Sequence, residues 1–176
     1  MPRYAKILVA SLAVLVLATA LPHAADQRVP PALQELWRQV EVVRTAHGVP
    51  HIRAENLCAA GYALGWLQLE DYGARVATRL LATRGQTART AGRGSLDADF
   101  EELRTRKRAI ETFHLLDQET RDLYDGFAAG VNRYVELHRS EFAPEMPADF
   151  TGYDVASLHI GDGPPAAKVR RFIAAL

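Results

Sequence analysis

The pattern of apolar and polar positions predicts one β-hairpin in the first third of the chain. Residues 40–45 are rich in β-branched side chains and partly alternate between apolar and polar. Residues 50–54 are extended again, after a turn at residues 46–48 that contains a glycine. Strands over 40–45 and 50–54 are therefore expected to pair with each other.

A longer apolar stripe with helical spacing follows the hairpin. Asn56 is suited to cap its first turn, and a single helix from about residue 57 to 80 is predicted. Gly61 and Gly65 lie in its first half, where a glycine costs about 1 kcal/mol relative to alanine, and they indicate close packing against another backbone. The stripe comprises Cys58, Tyr62, Gly65, Leu69, Tyr72, Val76 and Leu80.

Three further helical stretches follow a glycine-rich loop at residues 85–94. A charged helix is predicted from about residue 99 to 114, a second helix begins after Asp117, which is suited to cap it, and a short helical segment covers residues 154–160. The fold class is therefore expected to be mainly α with a small β-hairpin. The apolar stripe of the second of these helices comprises Leu123, Phe127, Val131, Tyr134 and His138.

The end of the chain also has helical spacing. Its apolar positions fall on one helix face, and the chain stops there without Gly, Pro or a polar tail, which predicts that the sequence was cut from a longer one. Residues 26–39, which contain two prolines, are expected to be a linker and lead-in, and residues 40–176 a partial domain. The terminal face comprises Val169, Phe172, Ile173 and Leu176.

The first 25 residues have the organisation of a secretory signal peptide. Arg3 and Lys6 precede an apolar run, and small residues follow it, so that cleavage is expected after Ala20 or Ala25. The run of apolar or small residues is about 15 long, shorter than the roughly 20 that a bilayer core requires. The chain is therefore expected in the periplasm or outside the cell, with no membrane attachment after cleavage.

Charge argues against a nucleic-acid partner. The 176 residues carry a formal net charge of zero, and removal of residues 1–25 takes away two basic residues and no acid, which leaves −2. The basic segment at residues 104–108 is flanked by Glu101, Glu102 and Glu111, so it is expected to be a solvated helix face.

Candidate chemistry is sparse. Cys58 is the only cysteine, so no disulfide can form within the chain, and a small buried thiol is expected. His47 and His51 are four apart, but Gly48 and Pro50 make a zinc-binding helix there implausible. None of the serines lies in a nucleophile-elbow motif, so the chain alone looks catalytically incomplete. The serines are Ser11, Ser95, Ser140 and Ser157.

Three blocks, residues 42–52, 61–71 and 126–134, together resemble the penicillin acylase family of N-terminal-nucleophile amide hydrolases. The third block is similar to the family's Ala-Ala-Gly-x-Asn segment. Two departures are Leu69, where many members have Ala, and the Tyr-Gly-Ala sequence that follows the acid pair of the second block. Residues 140–163 match poorly, which leaves substrate preference open.

The resemblance implies an exported precursor that cleaves itself into a small helical α-subunit and a large β-subunit, with the α-subunit as part of an αββα N-terminal-nucleophile hydrolase fold. The β-subunit's new N-terminal residue, usually Ser, would attack the linear amide bond of N-acyl substrates such as acyl-homoserine lactones or penicillin-type β-lactams. Its own α-amine, with an ordinary pKa near 8, can serve as the base. This chain would be the α-subunit, with no catalytic residue of its own and the β-subunit as its partner.

The resemblance also assigns two substrate-binding residues, Arg171 and Phe172, which would line the acyl-chain pocket. The alternative is that Phe172 is a core residue of the terminal helix face. No cofactor is implied; some members bind calcium, but that ligand would fall beyond Leu176 and no metal ligand is matched. A different hypothesis for the whole chain is a non-catalytic exported helical binding protein or an inactive truncated acylase fragment.

Overall fold

Residues 35–160 are described by the computed structural model, apart from the side chain of Thr90, and they form one β-hairpin followed by six α-helices. The mainly helical fold class with a small hairpin is confirmed. The signal segment and the proposed pocket residues Arg171 and Phe172 lie outside the described residues. The elements are β1 (Val40–Arg44), β2 (Pro50–Ala54), α1 (Leu57–Tyr72), α2 (Arg75–Thr83), α3 (Ala88–Ala91), α4 (Leu96–Thr112), α5 (Gln118–Leu137) and α6 (Gly152–His159).

The hairpin forms where the alternation predicts it. β1 and β2 pair in antiparallel orientation, with Val42 opposite Ile52. In the connecting turn the Gly48 amide donates to the Thr45 carbonyl at 2.9 Å, and Gly48 has a φ of +78°. That backbone conformation is rarely open to residues with a Cβ, which explains why a glycine ends the turn.

The prediction of one helix through Leu80 is wrong. α1 ends at Tyr72, and Gly73 follows with a φ of +65° while its amide donates to the Leu69 carbonyl at 2.8 Å. With a ψ of −155°, Gly73 has a backbone conformation that residues with a Cβ rarely adopt, and the helix ends there. Tyr72 is consequently exposed rather than part of a continuous stripe, and Leu80 is buried from the separate helix α2.

Both predicted caps are confirmed. The Asn56 side chain accepts a hydrogen bond from the Ala59 amide at 2.9 Å, and the Asp117 side chain accepts one from the Thr120 amide at 2.6 Å. The remaining boundaries shift by a few residues. The charged helix α4 begins at Leu96 and ends at Thr112, and α6 begins two residues before the predicted start.

The close backbone packing predicted from the glycines is the centre of the fold. α1 and α5 run in the same direction, because Cys58 meets Gly126 and Tyr62 meets Gly130. A Cβ built on Gly61 would lie 2.2 Å from the Leu123 carbonyl oxygen, so no larger residue fits at this crossing.

Around this helix pair, α2, α4 and α6 complete the core. Its buried side chains come mainly from α1, α2, α5, α6 and the segment that leads to α6. No helix within residues 35–160 is long and apolar enough to cross a membrane. The main core cluster includes Leu69, Leu80, Val131, Val135, Phe142, Met146, Phe150 and Val155.

Candidate functional site

The first two sequence blocks meet through Arg44, the last residue of β1. Its guanidinium donates to Glu70 Oε2 at 2.6 Å and to Asp71 Oδ1 at 2.8 Å, at the end of α1. It also donates to the Gly48 carbonyl at 2.9 Å and so ties down the turn. The hydrogen bonds that Arg44 donates to the carboxylates of Glu70 and Asp71 raise its pKa. The acid pair of the second block therefore holds the hairpin against α1.

The asparagine of the third block, Asn132 of α5, is buried and has a structural role. Its side-chain amide donates to the Phe150 carbonyl at 2.8 Å, and its side-chain oxygen accepts from the Phe150 amide at the same distance. One buried side chain thus satisfies both the backbone amide and the backbone carbonyl of Phe150. Asn132 fixes the segment that leads into α6.

Between β1 and the α1–α5 pair lies an open groove of about 440 Å³, which we call the aromatic groove. Both tryptophans of the chain line it. Trp37 is 52% exposed, whereas Trp66 is anchored edge-on against Tyr134, with ring centroids 5.0 Å apart. The lining residues are Trp37, Val40, Val42, Tyr62, Ala63, Trp66, Leu67, Arg133 and Leu137.

Within the described residues, no serine hydroxyl is hydrogen-bonded to a histidine. Ser157 is buried and donates to the Tyr153 carbonyl at 2.7 Å, while Ser140 is exposed. His138 ends α5, where its ring faces Tyr134 at 4.0 Å between centroids and bonds the Tyr134 carbonyl. The part of the chain seen in the structure therefore contains no serine with an adjacent histidine base.

The remaining candidates are not assembled into a site. His47 lies in the turn and His51 in β2, and both are exposed, which agrees with a turn histidine and a strand histidine. Residues 35–160 contain no cluster of three or more metal-binding side chains. The Cys58 thiol is partly buried, and desolvation, with smaller contributions from Asp122 and Asp125, raises its pKa to about 11.

The expectation that residues 104–108 form only a solvated helix face is wrong at Arg106. Its Nε donates to Asp154 Oδ1 at 3.0 Å, and Arg84 Nη2 donates to Asp154 Oδ2 at 2.6 Å. Burial would raise the pKa of Asp154, but the hydrogen bond and charge of Arg84, a bond from Thr151 and the bond from Arg106 together hold it below its ordinary value. This buried ion-pair network joins α2, α4 and α6.

The sequence pattern does not reveal two parts of this region. It predicts a lead-in at Trp37, although Trp37 lines the aromatic groove and Leu36 beside it is buried. It predicts only the start of a short helix at Asp154. The presence of both tryptophans near the hairpin and α1 was the available signal for the groove.

The structure is a mainly helical domain in which glycines allow close packing of α1 against α5. It has an exposed aromatic groove, and residues 35–160 contain no serine that is hydrogen-bonded to a histidine. A family model described as penicillin amidase matches residues 39–160, which include all three sequence blocks. The chain belongs to the penicillin amidase family.

The similar proteins are acylases. The acyl-homoserine lactone acylase PvdQ of Pseudomonas fluorescens is 31% identical over 116 residues, which cover 60% of this chain and 15% of the relative. The acyl-homoserine lactone acylase QuiP of P. fluorescens is 27% identical over 118 residues, with coverages of 66% and 15%. This chain therefore spans about 15% of the length of these curated relatives.

Among solved structures, a thermostable penicillin G acylase from Alcaligenes faecalis is similar, with a TM-score of 0.55 and 26% identity. The alignment covers 69% of this chain and 70% of the solved chain, so the two chains are of similar length.

Proposed function

We propose that this chain is the small, α-subunit part of an exported acylase that hydrolyses the linear amide bond of N-acyl substrates. The observation that carries the proposal is the family match over residues 39–160, in which the three motif blocks have definite structural roles. Arg44 joins the first block to the second, and glycines join the second to the third. The nucleophile is proposed to belong to the large β-subunit of the same precursor.

The division into two polypeptides is supported by three observations. The chain spans about 15% of its curated relatives, and it is similar in length to a solved penicillin acylase chain. Within residues 35–160 no serine is hydrogen-bonded to a histidine base. The proposed role is to provide the helical scaffold on which the αββα catalytic domain is assembled.

We favour acyl-homoserine lactones as the substrate class, because the matched curated relatives are named acyl-homoserine lactone acylases. Penicillin-type β-lactams are the second candidate, from the likeness to penicillin G acylase. Arg171 and Phe172 are proposed to contribute to the acyl-chain pocket. Replacement of Phe172 by Ala would then change the relative rates on short and long acyl chains.

The first step of the test is to sequence the natural gene beyond codon 176. The complete open reading frame is then expressed. We expect export, removal of residues up to Ala20 or Ala25, processing into two subunits, and release of fatty acid from an N-decanoyl homoserine lactone. Mass spectrometry of the periplasmic protein identifies both cleavage sites, and replacing the new N-terminal residue by Ala provides an inactive control. A gene that ends at codon 176 with a product lacking amidase activity would favour the non-catalytic binding protein or inactive fragment.

A further inference from the structure

The two edges of the hairpin differ in what they offer to another strand. The Thr45 amide bonds the Val49 carbonyl, and the Glu55 amide bonds the Gln39 carbonyl. Because hydrogen-bonded and non-hydrogen-bonded pairs alternate in an antiparallel ladder, Val42 and Ile52 form a non-hydrogen-bonded pair. The N–H and C=O groups of Val42 therefore point away from β2, and those of Ile52 point away from β1.

The outer edge of β1 lacks most of the features that normally block strand pairing. The backbone groups on this edge belong to Val40, Val42 and Arg44, so the edge contains neither proline nor lysine. Its one charged side chain, Arg44, bonds Glu70 and Asp71 of α1. The outer edge of β2 begins with Pro50, which has no N–H to donate. Within residues 35–160 the sheet has only these two strands, so none of these residues pairs with the outer edge of β1.

The aromatic groove lies along this open edge. Its lining includes Val40 and Val42 from β1 but no residue of β2. Trp37, Tyr62, Trp66 and Arg133 also line it, and these residue types dominate the binding energy of protein interfaces. Backbone pairing at an edge combined with a side-chain pocket beside it is the arrangement by which proteins bind an added strand.

The occupant follows from the length of the relatives. About 85% of each matched curated acylase lies outside the region that aligns with this chain, since the matches cover 15%. We propose that an extended segment of the large subunit pairs with the outer edge of β1 and inserts an apolar side chain into the aromatic groove. This inference rests on the proposed function and adds the surface at which the two subunits join.

The edge is tested in the processed enzyme by amide hydrogen exchange. The Val42 amide is expected to exchange at least about a hundredfold more slowly than the Ile52 amide, which lies opposite it on the other edge. Rapid exchange of both amides would overturn the proposal. Slow exchange of both amides would overturn the assignment to the β1 edge.

Matched substitutions test the outer edge at Val42, which also lines the groove, and the groove alone at Trp37. Val42→Pro removes an N–H that makes no bond to β2, and Ile52→Pro makes the same change on the other edge. Trp37→Ser removes an exposed groove residue, and Phe100→Ser removes an aromatic residue of α4 that is 61% exposed. We expect Val42→Pro and Trp37→Ser to reduce the recovery of large subunit with this chain at least tenfold, and the two controls to change it less than twofold.

The outcomes separate the inference from the proposed function. A wild-type protein that forms the two-subunit complex but does not hydrolyse N-acyl substrates counts against the function, while the association data still decide the interface. Unchanged association of Val42→Pro and Trp37→Ser, or equal losses in their controls, overturns the inference. A complex in which these changes separate two copies of this chain and leave the large subunit bound would also overturn it.

Discussion

Gly126 of α5 lies so close to Cys58 of α1 that a Cβ built on the glycine would be 1.9 Å from the Cys58 carbonyl oxygen. Backbone atoms cannot move aside as a flexible side chain can, so the two helices would have to separate. Gly130 has the same relation to Tyr62, at 2.0 Å from its carbonyl oxygen. The distance between α1 and α5 is therefore set by residues that have no side chain.

Gly126→Ala is expected to destabilise the protein by about 3 kcal/mol or more, because overpacking against backbone costs at least as much as overpacking against side chains. Gly94→Ala is the matched control, because nothing lies within 4 Å of a Cβ at that position. Urea unfolding of the full-length protein measures the stability of both variants. Equal unfolding midpoints for the two variants would contradict the close packing of α1 on α5.

Asn132→Leu is expected to leave the amide and carbonyl of Phe150 without partners, since both bond the Asn132 side chain. Each orphaned buried group costs roughly 1–3 kcal/mol, so a loss of at least about 2 kcal/mol is predicted. Thermal unfolding of the full-length protein is the measurement. The control is Arg108→Leu, at an exposed position of α4, and it should change stability by less than about 0.5 kcal/mol.

The sequence predicts those features of the fold that depend on one residue and its immediate neighbours. The caps Asn56 and Asp117, the hairpin turn at Gly48 and the close approach at Gly61 are confirmed, because each follows from the conformational preference of one residue type. Gly73 is the exception. Periodicity continued past it, and nothing in the pattern distinguished a helix-ending glycine from the packing glycines before it.

The site was less accessible to sequence reasoning, because it depends on pairs far apart in the chain. Arg84 and Asp154 are separated by 70 positions, and no residue next to either of them indicates that they form an ion pair. Two nearby prolines precede Trp37, so the local pattern predicts a linker and lead-in there. The three family blocks were recognised as motifs, but the roles of Arg44 and Asn132 became visible only in three dimensions.

The ion-pair network predicts a specific pH dependence. The pKa of Asp154 is lowered from 3.8 by its partners, so its charged form contributes stability that is fully present above the unfolded pKa and is lost as pH falls through the lower folded pKa. Asp154→Asn removes this contribution and leaves Arg84 with only the exposed Asp149 as a carboxylate partner, at a cost of about 3 kcal/mol at pH 7.

The difference in the free energy of unfolding between wild type and Asp154→Asn should therefore be constant at neutral pH and decrease below about pH 3.8. Urea unfolding of the full-length protein at several pH values from 7 to 2.5 measures it. The exposed Gln68→Ala of α1 removes no titratable group, so it is the control and should show no such trend. A difference that grew on acidification would contradict the sign of the pKa shift.

Cys58 is expected to be a poor nucleophile, because desolvation and the nearby carboxylates of Asp122 and Asp125 raise its pKa from 9.0 to about 11. The thiolate is the reactive form, so alkylation at pH 8 should be about a hundredfold slower than for an ordinary thiol. Iodoacetamide labelling of the Cys58 peptide, followed by mass spectrometry, gives the rate. The unfolded protein in urea supplies the reference rate, and Asp122→Asn should accelerate labelling of the native protein. Native labelling as fast as in urea would show that the thiol is not desolvated at the α1–α5 crossing.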